Sequence, residues 1–188
     1  VNTWATKILK DVKKEIGKYY PVDPGGGIPI GYFWSRTITC QNPTCGSEIP
    51  LLRQYWLAKK GKNRIAIKPK VNPQTNKIEF DIIRFKTDIK ENEFDPKEGT
   101  TNRTGARCIK CNQITKMKKI RELGKEQKIG EKLIAVVLRQ PGKQGKIYRL
   151  ANSVDEENFK GAAKYLKSKI SEWSYLETPL PIEEIPLM

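Results

Sequence analysis

The sequence predicts an α+β fold, in which antiparallel β hairpins are flanked by an N-terminal and a C-terminal helix. Three observations carry this. Apolar residues recur at clear helical spacing near the two ends of the chain. The middle is a series of short β-branched and aromatic runs, separated by turn residues. Four cysteines fall as two close pairs, Cys40 with Cys45 and Cys108 with Cys111. The predicted organisation is an N-terminal helix and Gly/Pro connector over 1–27, a β domain over 28–152, and a C-terminal helix with an extended acidic tail over 153–188. Within the β domain, 64–86 reads as an inserted hairpin and 87–106 as a mobile loop.

Residues 3–19 place Trp4, Ile8, Val12, Ile16 and Tyr19 on one helical stripe with lysines between them, and Thr3 as cap. Pro21, Pro24 and Gly25 to Gly27 then forbid a regular element. The triple glycine lacks the G-x-x-x-x-G-K pattern of a phosphate loop, so it reads as a flexible connector. "IGYFWSRTITC" is a strand into the first cysteine pair. "RIAIKPKV" and "KIEFDIIRF" form a hairpin around "NPQTN" at 72–76. Alternation of Ile78, Phe80 and Ile82 buries one face of it. The polar run 87–106, rich in threonine and glycine, reads as loop. After the second cysteine pair, Ile114, Met117, Ile120 and Leu123 lie three apart, which predicts a basic helix over 114–127. "EKLIAVVLRQ" and "GKIYRLA" make another hairpin around Pro141 and Gly142. The final helix opens on "SVDE", a capping box with Ser153 as cap and Glu156 reaching back. Its apolar stripe is Phe159, Ala162, Ala163, Leu166, Ile170 and Trp173.

Composition bounds the function. The 188 residues carry 36 basic and 21 acidic side chains, a net charge of +15 that calls for a polyanionic partner, most often nucleic acid. The chain has no histidine, which removes histidine-dependent catalysis and leaves any metal to cysteine and carboxylate. No nucleophile elbow, Walker loop, G-x-G-x-x-G or N-P-P-Y quartet is present, so the chain by itself is expected to be inactive. It shows no signal peptide and no apolar run near the ~20 residues of a membrane span, which suggests the cytoplasm and no membrane partner. A valine start and the open end "PLPIEEIPLM" read as a piece of a longer protein.

The cysteine pattern is C-x4-C, a 62-residue gap, then C-x2-C. Two tight turns that each present two thiolates complete a tetrahedral, closed site, and thiolates suit Zn2+. Gly46 and Asn112 follow the two pairs, where a knuckle turn needs a residue tolerant of left-handed backbone. Disulfides are disfavoured in a cytoplasmic chain. A redox C-x-x-C would want a βαβ setting that is absent. The expectation is therefore a zinc-ribbon-like fold with a structural Zn2+ on Cys40, Cys45, Cys108 and Cys111. Ribbons usually place their pairs closer, so the hairpin at 64–86 must return the chain to its starting point.

Residues 53–70 hold seven basic residues and no acidic one, with Tyr55 and Trp56 among them. Phosphates want lysine and arginine, and unstacked bases want aromatic faces. Packing of Tyr55 and Trp56 against the ribbon is favoured over base stacking. Residues 139–149 repeat the basic theme. The nucleic-acid contacts expected from these segments are Arg36, Arg53, Lys59, Lys60, Lys62, Arg64, Lys143 and Lys146.

The stretch "GYFWSRTITCQNPTCGSEIPLLRQYWLAKK" resembles the zinc-ribbon segment of large bacterial and archaeal adenine-specific DNA methylases. In that family a "W-[AS]-R-T" strand runs into "C-x-N-P-x-C-G", then "I-P-L" and "W-L-[AS]-K-K". Trp34, Ser35, Arg36, Thr37, Cys40, Asn42, Pro43, Cys45, Gly46, Ile49, Pro50, Leu51, Trp56, Leu57, Lys59 and Lys60 fit the pattern. "CIKC", "GEKLIAVVL" and "IYRLANSVD" look like its second knuckle and following hairpin, and "YYP" and "PLPIEEIP" also fit. Asn112 departs from the glycine usual at that place. The resemblance implies S-adenosylmethionine (SAM)-dependent transfer of a methyl group to the exocyclic amine of adenine in DNA. It places the SAM motif before this region and "D-P-P-Y" after it. The chain would be an insert, with DNA and the remainder of the methylase chain as partners and SAM bound only in the full-length parent. Two other readings stand beside it: a zinc-stapled structural insert that touches no nucleic acid, and a zinc-ribbon module of translation or transcription that binds RNA or protein.

Overall fold

The structure, a computed structural model, describes residues 2–59, 64–75, 77–85 and 94–173. It is mixed α and β. Among the described residues, three α-helices and nine strands follow one another as α1 (Asn2–Ile16), β1 (Ile28–Thr39), β2 (Glu48–Pro50), β3 (Trp56–Ala58), β4 (Arg64–Val71), β5 (Ile78–Phe85), β6 (Gly105–Arg107), β7 (Ile114–Lys116), α2 (Met117–Lys125), β8 (Gly130–Arg139), β9 (Ile147–Leu150) and α3 (Ser153–Trp173). The strands form a sheet of order β2-β1-β8-β9, a sheet of order β3-β4-β5, and the two-stranded β6-β7. The chain divides into two compact units. One is 1–30, 138–147 and 151–188; the other is 31–137 and 148–150.

The second unit contains all three core features of the β region. β4 and β5 pair antiparallel from Arg64↔Phe85 to Val71↔Ile78, the register expected for the inserted hairpin. The period-two pattern fixes that register, because a slip of one residue would expose Ile67, Ile78 and Phe80. Two apolar clusters fill the unit. One joins Ile38 and Ile49 to Ala106, Ile120 and Leu123. The other joins Leu52 and Tyr55 to Ile67, Ile78, Phe80 and Ile134. Lys132 on β8 reaches both Glu48 Oε2 and the Ile78 carbonyl at 3.0 Å, and so ties two sheets together.

Two sequence expectations change here. Residues 114–116 are a strand, and only Met117 onward is helical. Ile114 therefore stands exposed, while Met117, Ile120 and Leu123 pack into the core. The described part of the expected mobile loop, 94–106, is pinned. Pro96 and Thr100 are buried. Tyr55 N–H donates to the Pro96 carbonyl at 2.8 Å and Thr101 N–H to the Leu52 carbonyl at 2.9 Å. The Thr100 hydroxyl donates to the Pro50 carbonyl and accepts from Leu52 N–H at 3.0 Å. Gly99 is required there, since a Cβ would lie 2.0 Å from the Leu52 carbonyl oxygen. Residues 86–93 lie outside the described residues, as does the tail at 174–188.

In the first unit, the connector closes as a turn: Asp23 N–H donates to the Gly27 carbonyl at 2.8 Å and Gly26 N–H to the Asp23 carbonyl at 2.7 Å. α1 leaves Trp4, Ile8 and Val12 exposed, so most of its expected stripe is uncovered. Tyr19 packs on Tyr165 of α3 with ring centroids 5.8 Å apart. Phe159 and Leu166 of the expected α3 stripe are exposed too. The capping box sits one residue earlier than expected. Asn152 N–H donates to Asp155 Oδ2 at 2.9 Å, and Asp155 N–H donates to Asn152 Oδ1 at 3.1 Å. Asn152 is thus the cap and Asp155 the reciprocating acid, not Ser153 and Glu156. Asp155 is shorter than glutamate, and its burial holds the box closed.

Candidate metal centre

Each cysteine pair occupies the turn between two paired antiparallel strands. β1 and β2 pair from Thr37↔Pro50 to Thr39↔Glu48, and Cys40 to Ser47 form the turn between them. β6 and β7 pair from Gly105↔Lys116 to Arg107↔Ile114, with Cys108 to Gln113 between. In the first turn, Cys40 N–H donates to the Ser47 carbonyl at 2.8 Å, and Cys45 and Gly46 N–H both donate to the Asn42 carbonyl. The Asn42 amide oxygen accepts from Thr44 N–H at 3.1 Å and from the Thr44 hydroxyl at 2.8 Å. Asparagine thus shapes the turn with its own side chain. The second turn repeats the plan: Cys108 N–H donates to the Gln113 carbonyl and Asn112 N–H to the Cys108 carbonyl, both at 2.9 Å. Gly46 has φ +56° and Asn112 has φ +59°, the left-handed backbone expected at both places.

These turns bring the four thiols together across a gap of more than sixty residues. Cys40 Sγ lies 3.6 Å from Cys111 Sγ, and Cys45 Sγ lies 3.8 Å from Cys108 Sγ. All four sulfurs lie within 4.8 Å of one another. No disulfide joins them. Four sulfurs at about 2.3 Å from a central ion would stand about 3.8 Å apart in a regular tetrahedron. Two of the sulfur pairs already stand at that spacing, and these cysteines could hold a metal ion. Cys40 and Cys108 are buried, and the site rests on Ile38, Ile49 and Ala106.

The thiols differ in acidity. Burial pushes Cys40 up to about 12 and raises Cys108 as well. Cys111 falls to about 7, chiefly because the Gln113 backbone N–H stabilises its thiolate. In the metal-free fold one thiolate is ready near neutral pH, and a cation must displace protons from the buried pair.

The expected nucleic-acid contacts are less unified. Arg36, Arg53, Lys59 and Arg64 are exposed in the second unit, and Lys143 and Lys146 are exposed in the first. Lys60 and Lys62 lie outside the described residues. Lys59 is already engaged: it donates to Gln54 Oε1 at 2.8 Å and sits 5.9 Å above the Trp56 ring. Tyr55 and Trp56 are buried, against Phe94 and Phe85 respectively, so packing is their role. Sequence reasoning missed Lys97 and Arg107, which stand near Arg53. Their signal was present in "KEGTTNRTGAR", where cations alternate with small hydroxyl residues and glycine.

No protein-family model, curated protein or solved structure matches the chain. No helix among the described residues is long and apolar enough to cross a membrane.

Proposed function

We propose that the four cysteines hold a structural Zn2+ in a zinc-ribbon-like centre, and that the chain is the DNA-contacting module of a SAM-dependent adenine methylase. The carrying observation is the set of four sulfurs within 4.8 Å of one another, supplied by two β-hairpin turns. Four soft thiolates favour Zn2+, and a site with all four positions filled by protein leaves no place for a reactive water. The ion stabilises the fold and does no chemistry. It joins the two turns directly, beside the small core around Ile38 and Ile49 on which they rest.

DNA contact is supported by the net charge of +15 and by the exposed arginines and lysines of the second unit. The methylase assignment is supported by the first-knuckle motif, from Trp34 through Lys60, and rests on that resemblance. Methylation of adenine requires the base to leave the stack. In this reading the basic module holds the duplex while the parent's catalytic core, bearing SAM, does the transfer.

Metal analysis of the purified chain should find one zinc per chain, and chelation should abolish the β signal in circular dichroism. A metal-free protein with an unchanged spectrum would refute the zinc reading. Anisotropy titration against duplex DNA should weaken steeply between 50 and 200 mM salt, by about 10³-fold for six phosphate contacts. A flat response would refute DNA contact. Sequence of the flanking gene tests the parent: SAM and D-P-P-Y motifs on either side are expected, and their absence would remove the methylase.

A further inference from the structure

A cavity of about 510 Å3 lies within the second unit, between Arg53, the segment 97–107 and the second cysteine turn. Its size is that of a small-ligand site, roughly 300–1,000 Å3. Arg53, Lys97 and Arg107 line it, against a single carboxylate, Glu98. None of the three cations has an ion-pair partner among the described residues. Three uncompensated cations around one concavity repel one another and favour an anion.

A further observation points to a built site. The wall is held in advance of any ligand. Thr100 is hydrogen-bonded to the 50–52 backbone, and Asn102 N–H donates to the Gly105 carbonyl at 2.9 Å. A wall fixed this way loses little entropy on binding. Tyr55 and Ile109 add apolar surface to the same lining.

We propose that this cavity seats one nucleotide, with its phosphate against Arg53, Lys97 and Arg107 and its base toward Ile109 and the exposed Ile114, which also lines it. Guanidinium groups match phosphate oxygens two at a time, which suits a site with two arginines. The shared chemistry is one phosphate and one base, which a DNA strand and a free nucleotide both carry. The DNA-strand source rests on the DNA-contact reading above, and it narrows the contact among the second unit's cations to residues 53 and 97–107.

The test compares three versions of the 188-residue chain: wild type, the triple variant Arg53→Ala/Lys97→Ala/Arg107→Ala, and a control, Arg64→Ala/Lys143→Ala/Lys146→Ala. Each is titrated with labelled single-stranded DNA across a salt series, and with dAMP by amide NMR shifts. The cavity triple should bind the strand at least tenfold more weakly and lower the salt slope by about 0.7, the value for one single-strand phosphate. The control should change both less. A cavity triple within twofold of wild type, beside a control that loses binding, overturns the cavity and leaves DNA contact standing. If wild type binds no DNA, the DNA-contact reading fails alone: dAMP shifts at 97–107 that the triple abolishes support a free-nucleotide site, and their absence overturns it. Lys97→Ala alone covers the case of a triple that does not fold. It removes one exposed cavity cation, and it should weaken binding severalfold with an undiminished melting temperature. Unchanged binding in that variant counts against the site.

Discussion

Asn112 allows the link between turn geometry and metal affinity to be measured at one residue. It sits at φ +59°, its N–H bonded to the Cys108 carbonyl at 2.9 Å, and its side chain is exposed. A substitution there acts through the backbone, not through packing. Left-handed backbone costs an ordinary L-residue about 1–2 kcal/mol, and asparagine is partly exempt. A β-branched residue is a full outlier in that region. Asn112→Val should therefore cost about 1–2 kcal/mol in the turn that aims Cys108 and Cys111. Since metal binding and folding of such a site share one free energy, the cost appears in the metal Kd. The expected loss is roughly 5- to 30-fold, at 1.4 kcal/mol per decade. Asn112→Gly relieves the backbone but loosens the unfolded chain, so it should stay within about 0.5 kcal/mol of wild type. The assay is competition for Zn2+ with a chromophoric chelator at fixed pH. A valine variant that binds within twofold of wild type would show that the left-handed turn does not set the donor geometry.

Thr100→Val keeps the shape of the side chain but removes the hydroxyl that bridges the Pro50 carbonyl and Leu52 N–H, leaving only their mutual bond at 3.1 Å. It should cost about 1 kcal/mol in urea denaturation, whereas Thr100→Ser should cost less; equal losses would argue against the hydrogen bonds. Asn152→Ala and Asp155→Ala should each lower stability by about 1 kcal/mol and Ser153→Ala by less than about 0.5. The reverse order in thermal melts would restore Ser153 as the cap. Metal affinity should rise with pH. Cys40, pushed up to about 12, and Cys108, also raised, are neutral thiols in the metal-free fold at pH 7, so an ion must displace both protons. Between pH 7 and 9, log affinity should climb by at least about 2 per pH unit, and more steeply below 7, where Cys111 also protonates. A slope of 1 or less in pH-dependent chelator competition would mean that the buried thiols are already ionised.

What the sequence made legible was what neighbouring residues decide among themselves. Gly46 and Asn112 announce left-handed turns because few residues tolerate that backbone, so the cysteine turns could be read from seven-residue windows. The β4–β5 register was equally local, written in the alternation of Ile78, Phe80 and Ile82. The errors came where local signals were ambiguous. Ile114 shares the three-residue spacing of Met117 and Ile120, but "IT" is also a good strand start, and pairing with β6 claimed it. "NSVDE" contains two overlapping cap patterns, N-x-x-D and S-x-x-E, and only tertiary burial of Asp155 selects the first. The segment 94–106 looked unstructured because its internal order is only tight turns at Asp95 and Asn102. The rest of its order comes from the backbone of 50–54, some fifty positions earlier, through Thr100, Thr101 and Gly99. The same long-range contact brings Lys97 and Arg107 beside Arg53. A composition that reads as loop can thus line a cavity, since its threonines and glycine are what allow close backbone approach. The basic run 53–70 drew notice because its charges are consecutive. The charges around the cavity are joined only by the fold, and so required the structure to be seen.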